Sequence, residues 1–139
     1  MRTRLLLGCL LAVGLGCGSS KFVPVSGKVT LNGKPLAGAN VSFEPLAADD
    51  SPSSQTGSVA KTEADGSFVL KGLGGERGAV VGKHRVRIVL AGDPAGGDER
   101  QPRGGATKTL PRHYNTDSKL TFTVPAGGTT EANFPLTDP

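Results

Sequence analysis

The chain has 139 residues, with 16 Lys and Arg against 12 Asp and Glu, a formal net charge of +4. Once Arg2 and Arg4 are assigned to a leader, 14 basic residues against 12 acidic ones leave +2, too little to hold a nucleic acid. With Gly 21, Pro 10, Trp 0, Tyr 1 and Phe 5, the composition is turn-rich and its apolar supply modest, which suits a short-stranded all-β domain and excludes a large catalytic core.

The N-terminus reads as an export signal. Arg2 and Arg4 form a positive n-region, Leu5 to Leu15 an apolar h-region, and small residues close the segment. The apolar run is shorter than the roughly 20 residues needed to span a bilayer. Residues 1–16 are therefore read as signal peptide, 17–22 as tether and 23–139 as one domain of ordinary size. Both cysteines, Cys9 and Cys17, lie at or before the end of the leader, so the exported domain has no internal disulfide and must stand on packing.

Leu15-Gly16-Cys17-Gly18-Ser19-Ser20 resembles the lipobox of bacterial lipoproteins, in which cleavage precedes a cysteine that then carries diacylglycerol. Gly14 and Leu15 depart from the Leu and small residue that a lipobox prefers there. Cys9, after Leu6-Leu7-Gly8, fits the letters better. Cleavage there would leave an h-region of only four residues, against the usual 7 to 15 or so, so Cys17 is the expected lipid-attachment site. The resemblance implies a domain held on a membrane surface by its lipid. Gly18, in place of the Asp that retains lipoproteins at the inner membrane in well-studied bacteria, implies an outer-membrane, periplasmic or surface-facing location. The plainer alternative is simple cleavage and a soluble, secreted product.

Along the domain, Val23, Val25, Val29 and Leu31 share one phase against Ser26, Lys28 and Thr30, the period-2 signature of a half-buried strand. Asn32-Gly33 supplies a tight hairpin turn, after which Ala39 to Pro45 puts Ala39, Val41 and Phe43 inward. Leu46 to Gly57 reads as a mobile surface loop. Ser58 to Thr62 is a weaker strand, Asp65-Gly66 a hairpin signal, and Ser67 to Lys71 a strand with Phe68 and Leu70 inward. Glycines punctuate Gly72 to Gly78. Arg85 to Leu90, with Val86, Ile88 and Leu90 in phase, is expected to be a central strand. Ala91 to Thr107 reads as a long flexible insertion. Order returns at Leu110 to Asn115, Lys119 to Val124 alternates, and Thr130 to Leu136 completes the apolar face through Ala132, Phe134 and Leu136. Seven short strands with turn punctuation and no amphipathic helix argue for an antiparallel β-sandwich.

The runs Val25 to Thr30, Asn32 to Phe43, Thr62 to Phe68 and Gly82 to Ile88 together resemble the carboxypeptidase regulatory-like domain. Small lipoproteins built on one such domain end with segments like Pro111 to Asn115, Leu120-Thr121 and Asn133 to Leu136 here. The resemblance implies a transthyretin-like, immunoglobulin-like sandwich of seven strands. It implies no activity, since the regulatory-like domain accompanies peptidases and is not their zinc-binding part.

The residues point the same way. His84 and His113 sit in no His-Glu-x-x-His pattern and beside no cysteine or carboxylate at metal-ligand spacing. His84 reads as a strand-edge packing residue, and no Gly-x-Ser-x-Gly elbow is present. The expectation is a chain that is not an enzyme and binds neither cofactor nor metal. Lys83, Arg85 and Arg87 alternate against Val86 and Ile88 and form the candidate ligand-binding stripe for an acidic polysaccharide or anionic headgroups; the bland reading is a solvated strand face. Asp49-Asp50, and Asp93 with Asp98-Glu99, lack the spacing that organises calcium and read as soluble loops. The expected partner is the membrane, through the N-terminal lipid, with an envelope protein or glycan beyond it. The function expected is that of a structural or binding lipoprotein of the cell envelope. The alternative is a peptide- or carbohydrate-binding module that uses the loops Leu46 to Gly57 and Ala91 to Thr107.

Overall fold

The computed structural model of the chain describes residues 21–53, 55–91 and 109–138. Alternation builds the first strands. In β1 (Phe22–Val23) and β2 (Ser26–Leu31) the side chains of Val23, Val29 and Leu31, with Val25 between the strands, are buried, and Lys28 points to solvent. Pro24 has no N–H to donate and separates the two. Asn32 at φ 50° and Gly33 at φ 77° turn the chain with both central residues left-handed, as a two-residue hairpin of matching twist requires. β3 (Lys34–Pro35) returns antiparallel to β2.

The chain then leaves that sheet. β4 (Ala39–Pro45) enters a five-stranded sheet with β5 (Ser58–Lys61), β7 (Lys71–Gly72), β9 (Gly82–Leu90) and β10 (Thr121–Val124), in the order β10-β9-β4-β5-β7. Its backbone is the β4–β9 ladder, antiparallel from Ala39 opposite Leu90 to Pro45 opposite His84. β6 (Ser67–Val69) pairs with β2, β8 (Ala79–Val80) with β1, and β11 (Phe134–Leu136) with the far side of β2. Between β9 and β10 a 3-10 turn covers Arg112–Tyr114.

The structure is all-β, and four expectations are corrected in detail. The described residues form eleven short strands in place of seven. The β11–β2 pair is parallel, unlike the other strand pairs, and the isolated Val25–Thr129 bridge beside it is parallel too. The strand expected from Ser67 to Lys71 is cut at Leu70: β6 belongs with β2 and β7 with β5, so the Asp65-Gly66 turn joins two sheets and closes no hairpin within one. Leu70 is fully buried at the crossing, its N–H donating to the Val25 carbonyl at 2.9 Å. Finally, β9 is longer than the apolar phase suggested, starting at Gly82, and β11 shorter, because Glu131 and Asn133 hydrogen-bond locally.

The core lies between the inner faces. Val29 and Leu31 from β2 meet Val41 and Phe43 from β4, Val86 and Ile88 from β9, and Phe134 and Leu136 from β11. Phe43 has ring contacts with Phe122 at 5.8 Å and Phe134 at 6.0 Å, both edge-on, the geometry favoured by aromatic quadrupoles. The segment leading into β11 passes close over β2 at Gly27, where a Cβ would sit 2.0 Å from the Ala132 carbonyl oxygen. Only glycine fits there.

Candidate functional site

β9 carries the basic stripe, and the sheet order puts it between β10 and β4, inside the sheet. Lys83, Arg85 and Arg87 project from its outer face because His84, Val86 and Ile88 fill the inner one. The neighbours fix their environment by register: Thr123 lies opposite Lys83, Thr121 and Glu44 flank Arg85, and Ser42 lies opposite Arg87. The three side chains share one face, as expected, but two are already engaged. Lys83 Nζ donates to Asp50 Oδ1 at 2.6 Å. Arg87 Nε is sealed from solvent 3.4 Å from Glu44 Oε1, close enough for charge pairing without the alignment of a hydrogen bond. Arg85 has no ion pair among the described residues. Half-exposed pairs of this kind contribute about 0 to 1 kcal/mol, so they orient the stripe and leave it open to a competing anion.

The Leu46 to Gly57 loop was expected to be mobile, and its described residues are instead tied down. Leu46 bridges to Pro52, the Ala47 N–H donates to the Ser51 carbonyl at 2.8 Å, and the Ser53 N–H to the Pro45 carbonyl at 2.9 Å. Asp49 accepts from the Ser51 N–H at 3.2 Å and hydroxyl at 2.6 Å, an Asx-type turn. Those bonds, the hydroxyl's first, hold its carboxyl below the usual range. Asp65 is held down in the same way by Ser67, again with the hydroxyl leading. The loop thus serves the stripe: its Asp50 is the counter-ion of Lys83.

His84 corrects the strand-edge expectation. It is fully buried, on an inner strand, with its ring 5.6 Å from that of Phe43. Nδ1 lies 3.0 Å from the Gly82 carbonyl and Nε2 has no partner. Burial depresses its pKa below the ordinary 6.5, partly opposed by the Gly82 bond, and the ring is neutral in the fold. His113 is exposed and rests on Tyr114, ring centres 4.0 Å apart. Among the described residues no three His, Cys, Asp or Glu side chains converge as metal ligands.

Sequence reasoning gave no sign of one feature, an open cleft of about 320 Å³ lined by Pro24, Val25, Ser26, Val69 and the Gly127–Thr130 turn. It forms because β6 pairs with β2 and the Gly128 and Thr129 N–H groups bond back to the Pro125 and Pro24 carbonyls at 3.0 and 2.9 Å. No charged side chain lines it. Cys17, Asp93, Asp98 and Glu99, and nearly all of the Ala91 to Thr107 insertion, lie outside the described residues.

Comparison of the chain with protein-family models, with curated proteins and with solved structures finds no match.

Proposed function

We propose that this protein is an exported cell-envelope lipoprotein, held on a membrane by Cys17, whose β-sandwich acts without catalysis as a structural or binding module. The observation that carries this reading is the leader: a charged n-region and an apolar h-region end at Cys17, and the first strand follows at Phe22. The sandwich is assigned to the carboxypeptidase regulatory-like, transthyretin-like type on the motifs around Asn32-Gly33, Asp65-Gly66 and Gly82 to Ile88. A five-stranded and a four-stranded sheet, with the small β1–β8 pair beside them, around one apolar core support that assignment. The anchor needs no membrane-crossing helix, since a lipid chain supplies the attachment.

The polar side chains support a binding or structural role over chemistry. Lys83 and Arg87 are each matched to a carboxylate, and His84, the buried histidine, faces Phe43 and offers neither ring nitrogen to a nucleophile. An anionic polymer or headgroup is the ligand class that the outer face of β9 suits, with Arg85 as its unpaired cation. The leader and anchor are tested by intact mass spectrometry of the membrane fraction from cells producing the full chain. The expected product begins at Cys17 and carries acyl chains, and Cys17→Ser leaves it unmodified. An unmodified soluble product from the unaltered chain overturns the reading.

A further inference from the structure

The described residues have two unlike ends. At one, β2 meets β3 at Asn32-Gly33 and the Asp65-Gly66 turn lies nearby, its Gly66 carbonyl accepting from the Val29 N–H at 2.9 Å. At the other, the chain emerges from its tether: the Lys21 carbonyl accepts from the Val81 N–H at 3.2 Å, and the Phe22 ring covers Gly72, so closely that a Cβ there would lie 2.7 Å from it. Strand directions put the 72–78 turn, Val81, the start of β9, the Leu46 loop and the Pro125–Gly128 turn at this second end.

Exposed apolar side chains are distributed as unequally. Of the large hydrophobic residues left in water among the described ones, Leu73 is 69% exposed, Val69 66% and Val81 36%, and all three lie at the tether end. Val59, the fourth, is on β5 opposite Lys71. At the Asn32 end the exposed described residues are small or polar ones, among them Asn32, Gly33, Lys34, Pro35, Glu63 and Asp65. Scattered single hydrophobics need no explanation, but a set gathered at one end does.

We infer that this end, with Leu73, Val81 and Phe22 at its centre, docks onto the lipid bilayer to which Cys17 anchors the chain; the inference rests on the lipid anchor proposed above. The tether decides the occupant. Only Gly18, Ser19 and Ser20 stand between Cys17 and Lys21, and at no more than about 3.6 Å per residue the span from Cys17 to Lys21 stays near 14 Å. A lipid on Cys17 therefore keeps Lys21 within about 14 Å of its attachment point at the membrane surface. Three apolar side chains would not hold a free protein on a membrane, but tethering makes the contact intramolecular and raises the effective concentration to the point where a small patch suffices. Charge at this end nearly cancels: Lys21, Lys71, Arg77 and Lys83 face Asp49, Asp50 and Glu76, with Lys83 already on Asp50. Apolar contact with the interfacial region therefore carries the docking, and added salt should leave it in place.

The test uses the full lipidated chain, isolated from membranes and reconstituted in vesicles of phosphatidylethanolamine and phosphatidylglycerol. An environment-sensitive fluorophore is placed at Leu73→Cys and, as a control at the far end, at Lys34→Cys. Both positions are exposed, so neither substitution opens the core. The expected result is a blue-shifted emission at position 73 that spin-labelled lipid quenches, unchanged by salt, with a water-like, unquenched signal at position 34. A vesicle-bound, acylated chain whose position-73 probe stays water-like overturns the docking and leaves the anchor standing. A blue shift without lipid quenching overturns it too, since another protein surface then covers Leu73. A product without acyl chains removes the anchor first, and that failure shows in the mass before any fluorescence is read.

Discussion

On the inner side of β9, His84, Val86 and Ile88 are shut off from solvent, while on the outer side, one residue out of step, Lys83, Arg85 and Arg87 keep contact with water. The same nine-residue strand thus carries two kinds of energetics. Inside, each methylene removed leaves a void that close packing closes only in part. Outside, each ion pair competes with hydration and nets little. The contrast teaches where sequence changes matter for the fold and where the chain is free to evolve a ligand face.

The largest expected effect comes from breaking the inner side. Phe43 on β4 touches His84, Phe122 and Phe134, and Phe43→Ala should cost about 3 to 5 kcal/mol of stability, read as a fall in the denaturant midpoint at constant slope. A change below about 1 kcal/mol, the scale of a surface substitution, would show that the layers repack around the void.

A smaller effect should sharpen the contrast by titration. Burial keeps His84 neutral, with its folded pKa below 6.5. Below pH 6.5 the unfolded chain takes up a proton that the folded one refuses, so stability is complete above that pH and is lost as pH falls toward the folded value. The slope is at most about 1.4 kcal/mol per pH unit for one proton. Urea unfolding of the unaltered protein and of His84→Phe across this window should show the slope in the first and its disappearance in the second. Parallel curves would place the proton uptake on another group.

The smallest effect belongs to the outer side. Asp50→Asn removes the partner of Lys83, and because both side chains are largely exposed the loss should stay within about 1 kcal/mol. A loss of several kcal/mol would make the Leu46 loop a structural clamp on β9.

Much of this was legible before any coordinates. Alternation puts Val23, Val25, Val29 and Leu31, then Val41 and Phe43, then Val86, Ile88 and Leu90 in common phases, and all but the half-buried Leu90 are buried, because a period-2 pattern projects directly onto the two faces of a pleated strand. Asn32-Gly33 gave its turn for the same local reason. The outer stripe was legible as a face and illegible as a set of pairs, since Asp50 reaches Lys83 from 33 residues away. His84 misled because a lone histidine at the start of a strand reads as an edge residue. Only the sheet order, with β10 on one side and β4 on the other, makes it interior.

By itself the sequence determined the all-β class, the inward and outward sides of each long strand and the position of the Asn32-Gly33 turn. These follow from local sterics and from hydrophobic periodicity, which act between residues a few positions apart. Tertiary structure alone decided that the chain changes sheets at Leu70, that β11 runs parallel to β2, that the Leu46 loop folds back onto Lys83, and that Val69, Leu73 and Val81 lie exposed at the end where Lys21 and Phe22 enter the fold. Each of these depends on which distant backbone edges meet, a choice made by the shared core between the layers and written in no single stretch of residues.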